Sequence, residues 1–321
     1  MRLSLLDRSR TRAGRPEAEG LTGSVDRAVH AEQAGYERFW VAEHHAVPGI
    51  ASGAPAVLLA AIGAATQAIR IGSGGVMLPN HQPLVVAEQF AMLQALNPGR
   101  VDLGIGRSLG FTAPVREALR QVEADTYEDD LHELLALLTG TGAVTVHPVV
   151  DPVVPVSLLA TGRGTQVAAQ LGLPVVIGGP VLWGDDIGRV LAEYRRDFRP
   201  SDHAREPHVT VSLDVTVAAD DAAARDLALP EVWAMARSRQ TGEFPPLESV
   251  EAIRAQPWND QLRRRVEKGL GQAVAGSPAT VRAALAELET RTGADELMAS
   301  TSTHDRDALL ESDRLLRDLV A

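Results

Sequence analysis

The sequence predicts an α/β fold, a (β/α)8 barrel spanning residues 1–321 as a single domain, and three observations carry that expectation. Short β-rich runs alternate with longer amphipathic stretches almost from end to end. Most of the runs are near-continuously apolar, as strands covered on both faces of a parallel sheet must be. About eight such units, in a chain somewhat longer than the ~250 residues of a typical barrel and joined by right-handed crossovers, leave few other windings. An open doubly wound sheet would use the same units without closing and is the alternative.

The strands are expected at Leu3–Leu6, Phe39–Ala42, Ile69–Gly74, Val101–Ile105, Val154–Leu159, Pro174–Ile177, Val209–Val217 and Glu296–Ser300. Between them lie helix signals. "GSVDRAVHAEQAG" offers Ser24 as N-cap and Gly35 as stop, and "QPLVVAEQFAMLQALNPG" places Pro83 near its start and Asn97-Pro98-Gly99 at its end. "GSPATVRAALAELETRTG" has Ser277 as cap, Pro278 at the first helical position and Gly293 as terminator, and a last helix runs from about Asp305 to Val320. The stretch 229–275, with "EFPPLE" and "AQPWND", is too long for a plain connection and reads as an irregular insertion near the barrel mouth.

With 45% hydrophobic residues the chain can bury a large core without staples. A net charge of −11 with no basic block argues against a nucleic-acid partner. The absence of cysteine excludes disulfides, thiolate metal sites and a cysteine nucleophile, and fits a cytoplasmic location. "MRLSLLDRSRTR" lacks the apolar core of a signal peptide. The longest apolar stretch, Ala54 to Ala65, is shorter than the ~18 to 20 residues of a membrane span, so no membrane partner is expected. Lys268 is the only lysine, which rules out a Schiff-base or phosphate-loop lysine elsewhere.

In a parallel barrel the working groups follow the C-terminal ends of the strands. There stand "DRSR", "EHHAVPG", "GGVMLPNHQP", "GRSLG", "ATGRGT" and "GGP". Glu43, His44 and His45 suggest a metal site, but adjacent side chains on an extended segment face opposite ways, and beyond His81 no third ligand with sensible spacing is evident. No metal is expected. Gly104, Gly106 and Gly110 almost spell a dinucleotide fingerprint, with the third glycine one residue late. Gly106-Arg107-Ser108-Leu109-Gly110 spells the G-x-S-x-G of a hydrolase elbow, with Asp185 or Asp214 and then His304 in the right chain order. No oxyanion segment precedes it, however, and Pro114 falls where the nucleophile helix should start. The simpler reading is an arginine on a flexible turn that meets an anionic group, complemented by Thr161, Arg163, Thr165 and free backbone N–H groups at a helix start.

With these residues in place, the chain resembles the bacterial luciferase-like family of flavin-dependent monooxygenases. The resemblance rests on "GYERFWVAEHH", "IRIGSGGVMLPNHQPLVVAEQFAMLQALNPGRVDLGIGRS", "AAQLGLP" and "GSPATVRAAL…TGADELM". It implies a (β/α)8 barrel whose mouth holds reduced FMN, supplied by a separate flavin reductase and reacting with O2. By motif position it implies His44 as general base, with Glu43 and His45 as its support, and Arg107 on the FMN phosphate. Leu109, Thr161, Gly164 and Thr165 fall in the phosphate loops. Gly74-Gly75 falls where the family places a non-proline cis peptide under the flavin ring, and Gly106, standing where some luciferases have a cysteine, would enlarge the space beside it.

The activity implied is that of a two-component, FMNH2-dependent monooxygenase acting on an organic carbonyl or aromatic compound in secondary metabolism. The alternatives are an F420-dependent hydride-transfer oxidoreductase, for which Arg163 leaves room, and a non-catalytic flavin-binding partner subunit, against which the presence of both His44 and Arg107 argues. "APAVLLAAIGAATQ" and "LVVAEQFAMLQAL" would pack against a second copy in a homodimer.

Overall fold

The computed structural model describes residues 1–109, 112–120 and 126–320. The chain alternates strand and helix: β1 (Arg2–Asp7), α1 (Ala18–Ala34), β2 (Arg38–Val41), α2 (Pro55–Ala65), β3 (Arg70–Ser73), β4 (Val76–Met77), α3 (Pro83–Leu96) and β5 (Val101–Gly106). Then follow α4 (Ala113–Ala118), α5 (Tyr127–Leu138), β6 (Val156–Leu159), α6 (Arg163–Leu171), β7 (Val175–Gly178), α7 (Ile187–Asp197), β8 (Val209–Leu213) and β9 (Val215–Val217). The chain ends with α8 (Asp221–Thr241), α9 (Val250–Arg254), α10 (Asp260–Gln272), β10 (Val274–Gly276), α11 (Pro278–Thr292), β11 (Glu296–Ala299) and α12 (Arg306–Val320).

Strands β1, β2, β3, β5, β6, β7, β8 and β11 pair in that order, all parallel, and β11 returns to β1 through Leu3 opposite Leu297. The closed barrel is therefore observed rather than the open sheet. Every residue of β5 and of β11 is buried, as the continuous apolar runs require.

Helix punctuation follows the sequence where proline and glycine set it. Pro83 opens α3, Ser277 caps α11 by accepting from Thr280 N, and Gly35 and Gly293 end α1 and α11 at φ 83° and 56°. Ser24 is not a cap. Helix α1 starts at Ala18, and Ser24 lies inside it, buried, donating to Asp7 Oδ1 at 2.7 Å. That bond belongs to a clasp between the first and last units: Arg27, fully buried, donates to Asp7 Oδ2, to both oxygens of Asp313 on α12, and to Thr301 O, at 2.8–3.0 Å.

Two expectations change. The run Val209–Val217 breaks at Asp214, which accepts from Arg8 and Ser300 at the mouth, after which β9 leaves the barrel to pair with β10. The 229–275 stretch is regular rather than irregular. Asp220 and Asn259 cap α8 and α10, and Leu229, Trp233, Ala236, Ile253, Leu262 and Val266 form a small second core, with Trp258 against Trp233 at 5.0 Å. Pro230 lies inside α8 without ending it, and the prolines of "EFPPLE" and "AQPWND" fall in the short connections between α8, α9 and α10. Among the described residues no helix is long and apolar enough to cross a membrane.

Candidate active site

At the strand C-termini a cavity of about 690 Å³ opens. Trp40, Leu159, Val176 and Met298, inward-facing residues of four strands, give it an apolar interior together with Leu6. Its upper wall carries Arg107, Ser108, Leu109, Thr126, Tyr127 and Thr161, and Gly74 and Pro79 close one side. An apolar slot under a polar rim suits a flat heteroaromatic ring with an anionic tail.

Four of the residues expected at the site meet here: Gly74, Arg107, Leu109 and Thr161. The Gly74–Gly75 peptide is cis, as the resemblance implied. A side chain at Gly74 would collide with Leu6, and one at Gly75 would lie 2.7 Å from Gly104 O, so only glycine lets the two strands approach this closely. The guanidinium of Arg107 stands 5.5 Å from the centre of the Tyr127 ring. Burial pushes the Tyr127 phenol up to about 12, so it remains a neutral donor.

Other expectations are corrected. Gly106 does not enlarge the cavity, because a Cβ there would meet Met77 Sδ at 2.9 Å; Met77 fills the room. Gly164 N and Thr165 N donate to Thr161 O and Gly162 O, so these amides are not free for an anion. The Thr165 hydroxyl donates to Gly162 O at 2.8 Å, turned away from the cavity, and Arg163 is exposed and paired with Glu128 at 3.1 Å. Only Thr161 of that loop faces the cavity. The hydrolase triad does not assemble, since Ser108 lines the large cavity while His304 borders a different one beside Ser249 and Asp305. Gly110 lies outside the described residues.

The Glu43-His44-His45 triplet divides by face. Glu43 is buried and accepts from His45 Nε2 at 2.7 Å, His81 Nε2 at 2.9 Å and Met77 N at 3.1 Å. Burial alone would raise its carboxyl, but the bonds from His45 and His81 hold it down to about 2. An ionised carboxylate only accepts, so both imidazoles carry their proton on Nε2. The sequence showed no third ligand, whereas the structure brings Glu43, His45 and His81 together, with ligand atoms within 4.8 Å of one another. The hydrogen bonds make this a carboxylate that pins two rings. His44 faces the other way. Burial, then the charges of Arg8 and Arg10, push its imidazole down to about 4, so it is neutral near pH 7. It lines neither the large cavity nor its neighbour and sits among Arg8, Arg10 and Glu231.

Sequence reasoning missed Trp40, Tyr127, Ser212 and Met298 as lining residues. The inward phase of each strand would have marked Trp40, Ser212 and Met298; nothing local marks Tyr127.

The luciferase-like monooxygenase family model matches residues 1–296. A luciferase-like monooxygenase of Escherichia coli (strain K12) is 36% identical across 98% of this chain and 96% of its own. Among solved structures, apo-MsnO8 is 34% identical, covering 99% of this chain and 97% of that one with a TM-score of 0.88. The oxygenating constituent of 3,6-diketocamphane monooxygenase from Pseudomonas putida, solved in complex with FMN, covers 99% and 96% with a TM-score of 0.75 at 18% identity, and so shows the fold alone. The chain belongs to the luciferase-like monooxygenase family and is an oxidoreductase.

Proposed function

We propose that the protein is an FMNH2-dependent monooxygenase that takes reduced flavin from a separate reductase and transfers one oxygen atom of O2 to a small organic substrate. The observation that carries this reading is the apolar slot of Trp40, Leu159, Val176 and Met298 beside the cis Gly74–Gly75 peptide, with Arg107, Ser108 and Thr161 at its rim. These residues fit the group: the slot would hold the isoalloxazine ring and the rim its phosphate, which Arg107 can meet bidentately. The chemistry that bound reduced FMN supplies is two-electron activation of O2, one atom going to the substrate and the other leaving as water.

The chain's own residues bind, orient and exclude water. The apolar walls keep water from the ring, and Tyr127 positions Arg107 by facing its guanidinium. His44, the general base that the resemblance implied, does not line the cavity and is held neutral beside Arg8 and Arg10, so no step at the flavin is given to it; Glu43 fixes the segment that carries it. Replacing Arg107 by alanine is expected to weaken FMN about tenfold or more, as loss of a charge-assisted contact does. Unchanged affinity by fluorescence titration would remove the phosphate assignment.

A homodimer is part of the same proposal. Helices α2 and α3 expose Val57, Val85, Met92 and Leu96, with Val57 and Leu96 74% and 72% exposed, an apolar face suited to a second copy. Sedimentation as a monomer at micromolar concentration would contradict it.

A further inference from the structure

A second cavity, of about 340 Å³, adjoins the first, and Leu6, Gly178 and Ser212 line both. Its outer wall is built by α8 and α10, the helices of the 229–275 stretch and its approach. We propose that it is the substrate subsite and that the substrate is an organic anion, an apolar body ending in a carboxylate or sulfonate. The inference rests on the flavin reading of the first cavity.

Charge points to an anionic ligand. In a chain of net charge −11, this wall gathers Arg8, Arg239, Arg265 and Lys268 against two carboxylates, Asp214 and Glu231. Both carboxylates are already engaged by Arg8, at 2.9 Å each, and Glu231 also by Arg10 at 2.8 Å. Arg265 and Lys268, on one face of α10 at a spacing of three, are left facing the cavity with Arg239 from the last turn of α8. Among the described residues none of these three has a carboxylate within ion-pair distance, and the buried Nη1 of Arg265 has no hydrogen-bond partner. A buried guanidinium N–H without an acceptor is unfavourable, and a ligand oxyanion would satisfy it.

Shape and polarity point to an apolar body on that ligand. Leu213, Val232, Ala236 and Pro180 line the cavity, and Trp183 and Met235, 39% and 38% exposed, stand at it. Large apolar side chains left open beside a cationic rim mark a surface that a ligand's hydrocarbon body covers. The shared wall of Leu6, Gly178 and Ser212 would let that body reach the flavin cavity while its acid group stays on α10.

The test is calorimetric titration of flavin-free protein with octanoate and octanamide, then of Arg265→Gln/Lys268→Gln and of Arg264→Gln, which removes a charge elsewhere on α10. Octanoate is expected to bind about tenfold tighter than the amide, as charge-assisted contacts imply. The double variant should lose that preference and Arg264→Gln keep it. Equal binding of acid and amide, no binding of octanoate, or a preference that survives the double variant would overturn the proposal. FMN affinity is measured in parallel. Failure of FMN to bind wild-type protein defeats the flavin reading, whereas intact FMN binding without acid preference defeats only the subsite. If the double variant weakens F420 while octanoate discrimination is absent, the cations serve a cofactor tail and the proposal falls.

Discussion

Arg27 locks the barrel seam, and its removal tests how the last unit is held to the first. Its side chain is inaccessible to solvent and makes four hydrogen bonds of 2.8–3.0 Å to Asp7, Asp313 and Thr301. In Arg27→Met, Asp313 loses both its donors, while Asp7 keeps Ser9 N and the Ser24 hydroxyl. Asp313 is then left without a side-chain hydrogen bond, with only the Arg306 charge still favouring it, and Asp7 is partly compensated. Breaking a buried pair in this way costs about 3–5 kcal/mol. Equilibrium urea unfolding, followed by circular dichroism, should show that loss as a lower midpoint at unchanged slope. Arg27→Met/Asp313→Leu, which removes the stranded charge, should recover on the order of 1 kcal/mol or more. A loss below about 1 kcal/mol, the value of an exposed pair, would refute the clasp.

Acid stability follows from two groups on the triplet. The folded state holds His44 at about 4 against an ordinary 6.5, so the unfolded chain takes up that proton first and stability falls as pH drops from 6.5 towards 4, by on the order of 3 kcal/mol. Glu43, held at about 2 against 4.5, adds a second loss only below pH 4.5. Urea midpoints between pH 8 and pH 4 should therefore decline in wild type and flatten in His44→Gln; an unchanged slope in the variant would contradict the burial of a neutral imidazole. Glu43→Gln leaves one carbonyl oxygen where a carboxylate accepted on both, and turns an N–H2 towards either Met77 N or the histidines. A loss of about 2–4 kcal/mol is expected, and a neutral result would mean the ring-pinning network is unimportant. Gly104→Ala would set a Cβ 2.1 Å from Ser73 O and should cost about 3 kcal/mol or more, whereas Gly106→Ala meets only the movable end of Met77 and should cost about 1 kcal/mol. Thermal melts of the two variants should separate accordingly.

The strand–helix alternation, the near-continuous apolar strands and the proline and glycine punctuation of α3 and α11 were legible because each is a local property. What escaped was long-range. Arg38, Arg70, Asp102 and Glu296 sit at strand starts that read as ordinary boundaries, yet they form one ion network inside the barrel base. His208 donates into it at 3.0 Å, and despite burial that bond and the Arg38 charge bring Glu296 down to about 2. Ser24 looked like a cap because its buried acceptor, Asp7, is far from it in sequence. His81 could be named beside Glu43 but not placed, since whether its ring reaches the carboxylate depends on the short turn Leu78–Asn80. Likewise Arg107 was identifiable from its turn, while Tyr127, which faces its guanidinium, arrives on a separate helix.

Cofactor choice is decided by an anaerobic titration of the purified protein with photoreduced FMN, oxidised FMN and F420, followed by admission of air. FMNH2 is expected to bind in preference to the other two, Arg107→Ala to weaken it, and oxygen then to produce a protein-dependent spectral transient before free flavin appears. Preference for F420 with no response to oxygen would contradict the monooxygenase reading and assign the cavity to hydride transfer.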